Sequence, residues 1–215
     1  MTDHEVLLSE LCRPKSIDDL NLPEKEIAFL KAMAKNKRNI KNLLFYGKPG
    51  IGKTSAAMIL IQDMEMSASV YDARSGRGEK SFKSYIENYF SSMAFDGNYK
   101  TLIINEAEAL KKSDQTYLLG AIEDFFTNGR FIMTANDPRK MIDPLKSRLT
   151  QICFDVRPAD RQSVIEKMIK RYQQLLHDYG KPIDQEVIRK IVNIYFPDLR
   201  TVANELEKEI MSHTA

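Results

Sequence analysis

The sequence predicts an α/β fold: a mostly parallel five-stranded sheet with helices on both faces, followed by a small helical domain. Three observations carry this expectation. Short apolar runs alternate with helical patterns over most of the chain. A glycine-rich stretch, GKPGIGKT at 47–54, stands between a strand pattern and a helix pattern. After Arg157-Pro158 the strand patterns stop, and three helical patterns follow.

The strands come first. NLLFYG ends at Gly47, SASVYD at Asp72, TLIINE at Glu106, RFIMTAN at Asn136 and QICFDV at Val156. Each is a short apolar run bounded by turn-forming residues, as expected of strands buried on both faces. Helical patterns lie between them at about 53–64, 79–93 and 113–127. Past the boundary near 157, helices are expected at 159–179, 184–195 and 198–212. Gly180-Lys181-Pro182 and Phe196-Pro197 break them apart. The expected division is a nucleotide-binding core over 1–157 and a helical lid over 158–215.

Composition sets the bounds. The chain has 215 residues, 43% hydrophobic and 29% charged, enough for a real core. Its 32 basic and 30 acidic residues leave a net charge of +2. That balance neither demands nor excludes nucleic acid, because a local basic face matters more than the sum. Cys12, Cys153 and three scattered histidines make no zinc spacing. No apolar run reaches the roughly 18 residues of a membrane span. The segment MTDHEVLLSE lacks the basic and apolar regions of a signal peptide. A reduced cytosolic setting is expected, with no membrane contact.

GKPGIGKT fits G-x-x-x-x-G-K-[ST], in the strand-to-helix context the motif needs. Gly47, Gly50 and Gly52 let backbone N–H groups turn inward around phosphates, and the helix N-terminus adds positive partial charge. Lys48, Pro49, Ile51 and Ser55 complete the stretch. Lys53 is expected on the β/γ-phosphates and Thr54 on Mg²⁺. The implied ligands are ATP and Mg²⁺. The bland alternative, a glycine turn before an ordinary helix, leaves the full pattern to chance.

Beside such a loop, TLIINEAE reads as the second strand of the site. In these folds a first acid holds a Mg²⁺-bound water and the next glutamate polarises the attacking water. Glu106 fits the second role; a solvated helix-start glutamate is its alternative. Asn105 fits the first role through its amide oxygen, via a water, but brings no charge; a strand-end turn residue is its alternative. Asn136 ends another apolar strand, where a side-chain amide either orients the attacking water or simply forms a turn. Arg148, before the fifth strand, either stays on the surface or reaches a neighbour's site as a finger, worth about 10³–10⁵ in rate in comparable enzymes. Arg200 lies in the first turn of the last helix, where the helix dipole disfavours a cation unless a phosphate is near.

Together these residues resemble AAA+ clamp-loader ATPases of the replication factor C small-subunit and phage type, over about residues 8–212. LCRPKSIDDL resembles the family's opening Arg-Pro segment, DARSGRG its Asn-Ala-Ser-x-x-Arg-Gly stretch, and NEAEALKKSDQ its Asp-Glu-Ala-Asp segment. NGRFIMTAND resembles the sensor-1 strand, IDPLKSRL the Ser-Arg-Cys motif, and FPDLR the sensor-2 helix. The resemblance implies a five-stranded AAA+ core with a three-helix lid. It also implies Glu106 as base, Asn136 as sensor 1, Arg148 as a finger on the adjacent subunit's ATP, and Arg200 as sensor 2. Arg13 and Pro14 would sit near the adenine. The implied partners are other clamp-loader subunits, a sliding clamp and primer–template DNA. Arg74, Arg77, Lys80 and Lys83 follow the second strand, a region that faces DNA in relatives; a solvated basic helix is the equal alternative.

Four positions depart from the family. Asn105 replaces its aspartate, and Asp72 the asparagine that restrains the glutamate. Leu119-Gly120 stands where relatives carry an Arg pair linking DNA contact to the ATP site. The sequence ends after the lid, without the helical collar of family pentamers. The expectation is a slow but competent ATPase. The alternatives are a non-hydrolysing structural subunit and another AAA+ remodeller such as a helicase loader.

Overall fold

The computed structural model describes residues 8–36, 40–75, 82–91 and 99–214. Its centre is a five-stranded sheet of β1 (Leu43–Tyr46), β2 (Ala68–Asp72), β3 (Lys100–Asn105), β4 (Gly129–Ala135) and β5 (Thr150–Cys153). The order is β2-β3-β4-β1-β5, and every pairing is parallel. Tyr46 lies opposite both Ala135 and Cys153, and Asp72 opposite Asn105. The chain therefore leaves β1, β3 and β4 at the same edge of the sheet, side by side.

The alternation of side chains along each strand builds two cores. Leu43, Phe45, Ile103 and Ile132 point to the face covered by α2 (Glu24–Ala34) and α3 (Lys53–Asp63). Leu44, Leu102, Ile104, Phe131 and Met133 point to the face covered by α4 (Phe82–Phe90), α5 (Lys112–Asp124) and α6 (Asp143–Ser147). Burial on both faces explains why β1, β3 and β4 read as unbroken apolar runs. The expectation that all five strands are buried fails for β2 and β5, which lie at the two edges of the sheet and are largely exposed or half-buried. Each fully buried Leu or Ile is worth about 1.5–3 kcal/mol relative to exposure.

A third cluster joins α7 (Pro158–Asp178), α8 (Gln185–Tyr195) and α9 (Leu199–Thr214). It also contains Leu8 and Cys12, so the short helix α1 (Leu8–Leu11) packs with the lid although it begins the described chain. Polar contacts continue this strap. Leu8 N–H donates to Glu207 Oε1 at 2.9 Å. Arg171 donates to the carbonyls of Cys12 and Arg13 at 3.1 and 2.9 Å and faces Asp19 at 3.5 Å. Lys167 donates to the Leu20 carbonyl at 3.2 Å, and Leu20 itself belongs to the core of the sheet domain. The strap thus spans from lid to core.

Further expectations need correction. Helix α2 was not anticipated, although Pro23 opens it, Glu24 and Glu26 sit in its first turn and Ile27, Leu30 and Met33 form one buried stripe. The fifth strand stops at Cys153 rather than Val156, because its partner β1 ends at Tyr46, opposite Cys153; beyond it the Asp155 carboxylate accepts from Lys48 N–H at 2.9 Å. The third strand stops at Asn105, because Glu106 adopts a left-handed backbone with φ 54°. Of the helix expected at 79–93, residues 79–81 and 92–93 lie outside the described residues.

Candidate nucleotide site

The loop between β1 and α3 is shaped by its glycines. Gly50 and Gly52 have φ of 76° and 96°, values that side-chain-bearing residues rarely adopt. Gly47 N–H remains tied to the Ala135 carbonyl at 3.2 Å, so the loop starts against β4. Gly52 is the N-cap of α3 and offers no side-chain cap. First-turn N–H groups left without a side-chain acceptor suit an anion. Ile51 is buried and anchors the loop to the core, while Lys48 and Pro49 are exposed and Ser55 is half-buried.

Lys53 opens α3 and is only 7% exposed. Its Nζ donates to the Gly47 and Lys48 carbonyls at 2.7 Å each and to Asn136 Oδ1 at 2.9 Å. Burial pulls its pKa below the ordinary lysine value, opposed by the carboxylates of Glu108, Asp155 and Glu106. The lysine is thus held inside the loop by neutral oxygens that incoming phosphate oxygens can replace.

The acidic strand meets the loop through hydroxyls. Asn105 Oδ1 accepts from Thr54 Oγ1 at 3.0 Å and from Thr134 Oγ1 at 3.2 Å. Thr134 Oγ1 in turn accepts from Glu106 N–H at 3.1 Å. The left-handed backbone of Glu106 costs of order 1–3 kcal/mol for a residue with a side chain. A left-handed carboxylate beside a phosphate loop makes Glu106 a candidate for the chemistry of the site. The Thr54 hydroxyl and the Asn105 carboxamide oxygen are adjacent hard oxygen donors, which fits Mg²⁺. Thr54 would bind the ion directly and Asn105 through a water.

The reading of Asp72 changes. Its Oδ1 accepts from the N–H groups of Arg74 and Ser75 at 2.9 and 3.3 Å, so this carboxylate turns its own chain. The group paired with Glu106 is instead the Arg74 guanidinium. Lys83 lies 3.7 Å from Glu87 and over the Tyr117 ring. Arg77 and Lys80 lie outside the described residues.

The lid touches the loop. Leu199 N–H donates to the Gly50 carbonyl at 3.1 Å. Asp198 caps the start of α9, accepting from Arg200 N–H at 3.1 Å and from the Thr201 N–H and hydroxyl at 3.2 and 2.9 Å. A Cβ at Gly50 would run into the Asp198 carboxylate, so only glycine allows this approach. Arg200 follows at once, exposed, in the first turn of a helix docked on the phosphate loop.

The structure brings Lys53, Thr54, Asn105, Glu106 and Asn136 together, with Arg200 one residue from a contact to the loop. Arg148 stands apart. Its Nε and Nη2 donate to Glu123 Oε1 at 3.2 and 2.9 Å and its Nη1 to the Pro144 carbonyl at 3.2 Å. Arg13 is exposed and pairs with Glu10 at 2.9 Å on the lid-side strap, with Pro14 beside it. The sequence reading did not single out Thr134, Asp155, Asp198 or Glu108 for the site. Thr134 and Asp198 had a signal: a hydroxyl in an otherwise apolar strand, and an Asp before a helix.

A parallel sheet whose first strand runs through a glycine loop into a lysine-headed helix defines a P-loop nucleotide-binding fold. Residues 43–155, more than half of the chain, match the family described as "ATPase family associated with various cellular activities (AAA)", and the chain belongs to it. It is 34% identical over 160 residues to the replication factor C small subunit of Thermofilum pendens, covering 72% of this chain and 49% of that protein. It is 30% identical over 164 residues to replication factor C subunit 4 of Caenorhabditis elegans, covering 71% and 49%. The chain spans about half the length of the curated relatives it matches. The Thermotoga maritima RuvB Holliday junction branch migration motor shares the fold, with a TM-score of 0.71 at 22% identity over 95% of this chain and 68% of that one.

Proposed function

We propose that this chain is an ATP-binding and ATP-hydrolysing subunit of a DNA-replication clamp loader, one that opens a sliding clamp and places it on primer–template DNA. One observation carries the reading. The phosphate loop, Asn105-Glu106 and Asn136 converge at one edge of the sheet with the lid docked on Gly50, in a chain 30–34% identical to replication factor C small subunits. The core is assigned to 1–157 and the lid to 158–215, with the strap from Leu8 joining them.

In this reading Lys53 exchanges its carbonyl partners for β/γ-phosphate oxygens. Thr54 and, through a water, Asn105 would hold Mg²⁺, which would neutralise phosphate charge. Glu106 takes a proton from the attacking water once Arg74 releases it, and Asn136 orients that water. Arg200 covers the phosphates from the lid, and Arg13-Pro14 lie toward the adenine. Arg148 serves a neighbouring subunit's ATP after leaving Glu123. The partners are further clamp-loader subunits, the clamp and DNA, in the cytoplasm. Asn105, uncharged, makes hydrolysis slow. It also favours a second reading, a structural subunit that binds ATP without hydrolysing it.

A mixing experiment tests the scheme. Lys53→Ala lacks a working loop and Arg148→Ala lacks the finger, so each assembled alone should turn over little ATP. Mixed, they form some sites from one intact loop and one intact finger, and turnover should partly return. A mixture as inactive as its components contradicts the finger role. A parent that binds ATP in its assembly without turnover supports the structural reading.

A further inference from the structure

We propose that Glu108 is a positioning residue for the γ-phosphate end of this site, setting Asn136 through its backbone amide. The inference rests on the nucleotide-site reading above. Asn136 follows the last residue of β4 and lies beyond the sheet pairing that fixes Ala135 against Tyr46. What fixes it instead is Asn136 N–H donating to Glu108 Oε1 at 2.9 Å. With its amide held there, the side chain reaches Lys53, and Asn136 Oδ1 accepts from Lys53 Nζ at 2.9 Å. Glu108, Asn136 and Lys53 form one chain of contacts running from the β3 turn through the end of β4 into the phosphate loop.

The turn that aims Glu108 is the one that strains Glu106. A left-handed residue at 106 ends β3 and starts the short helical turn Ala107–Ala109, which brings Glu108 to the end of β4. The strained backbone therefore sets two carboxylates at once, Glu106 beside Arg74 and Glu108 beneath Asn136.

The second Glu108 oxygen, Oε2, is buried with no hydrogen-bond partner among the described residues. Leaving a buried carboxylate oxygen unpaired costs free energy unless a nearby charge offsets it. The observed contact that ties Glu108 to the phosphate loop runs through Asn136, whose N–H it holds and whose Oδ1 accepts from Lys53 Nζ. Glu108 thus orients the asparagine that meets the lysine.

The test compares an ATP analogue with ADP. Asn136 is read as sensing the γ-phosphate, so its misplacement should affect only ligands that carry one. The full chain is titrated, with Mg²⁺, with ADP and with a non-hydrolysable ATP analogue, as parent, Glu108→Ala and Glu108→Gln. Glu108→Ala should weaken the ATP analogue about tenfold, the worth of one charge-assisted hydrogen bond, and leave ADP within about twofold. Glu108→Gln keeps an oxygen that accepts from Asn136 N–H and should retain most of the analogue affinity. Hydrogen exchange at the Asn136 amide should accelerate in the alanine variant and less so in the glutamine variant. Equal loss of both nucleotides, no loss of either, or a glutamine variant as impaired as alanine would overturn the proposal. A parent that binds neither nucleotide would instead overturn the site reading on which it rests.

Discussion

The phosphate loop and the acidic strand lie side by side, yet they are built to different standards. The loop is complete: every glycine, the lysine and the threonine of its pattern are present, and the fold holds Lys53 inside with three oxygen acceptors. The strand beside it carries a carboxamide in place of a carboxylate, and its glutamate is paired with Arg74. The difference leads us to expect binding and turnover to be separable here. Backbone amides and one lysine suffice for binding. Turnover also needs a held cation and a free general base.

The largest effect that would sharpen this comparison is on the strand. Glu106→Gln should lower ATP turnover by about 10²–10⁴ while ATP affinity in calorimetry stays unchanged. Loss of affinity on the same scale would mean that strand and loop act as one unit. The loop comes next. Lys53→Ala should weaken ATP binding about a hundredfold, as expected for loss of one or two charge-assisted phosphate contacts. Equal affinity of variant and parent would remove the phosphate-loop assignment. The smallest effect concerns Arg74. Arg74 is 66% exposed in its pair with Glu106, and solvent screening of such a guanidinium holds the pair to about 1 kcal/mol. Arg74→Ala should therefore raise turnover no more than about fivefold. A fall in turnover would show that Arg74 assists Glu106 rather than occupying it.

The loop was legible because its chemistry is local: eight consecutive residues specify a turn that only glycine makes easily, and a helix start with no side-chain cap. The central strands β1, β3 and β4 were legible because burial on both faces leaves a continuous apolar run, whereas β2 and β5 are edge strands whose apolar residues stay partly exposed. What the sequence hid are contacts between distant segments. The approach of Gly50 to Asp198 joins residues 148 apart in number, and nothing near either predicts it. The Glu108 contact depends on a left-handed turn that residue type alone does not announce. Asp72 misled for a related reason, because a carboxylate at a strand end caps its own turn as readily as it faces a neighbour. Helix α2 is a different matter: Pro23, the two glutamates and the Ile27, Leu30, Met33 spacing were all in plain view.

The division between loop and strand is tested most directly by restoring the missing charge. Asn105→Asp should lower the Mg²⁺ concentration for half-maximal turnover, and raise turnover at limiting Mg²⁺, by about 10–100-fold, the usual worth of a residue that supports a metal through its bound water. In the same titrations, metal-free nucleotide affinity should stay as it is, because Lys53 and the loop amides do not involve this position. That paired result is what the account predicts. An unchanged Mg²⁺ requirement, or a loss of metal-free affinity as large as the change in turnover, would contradict it.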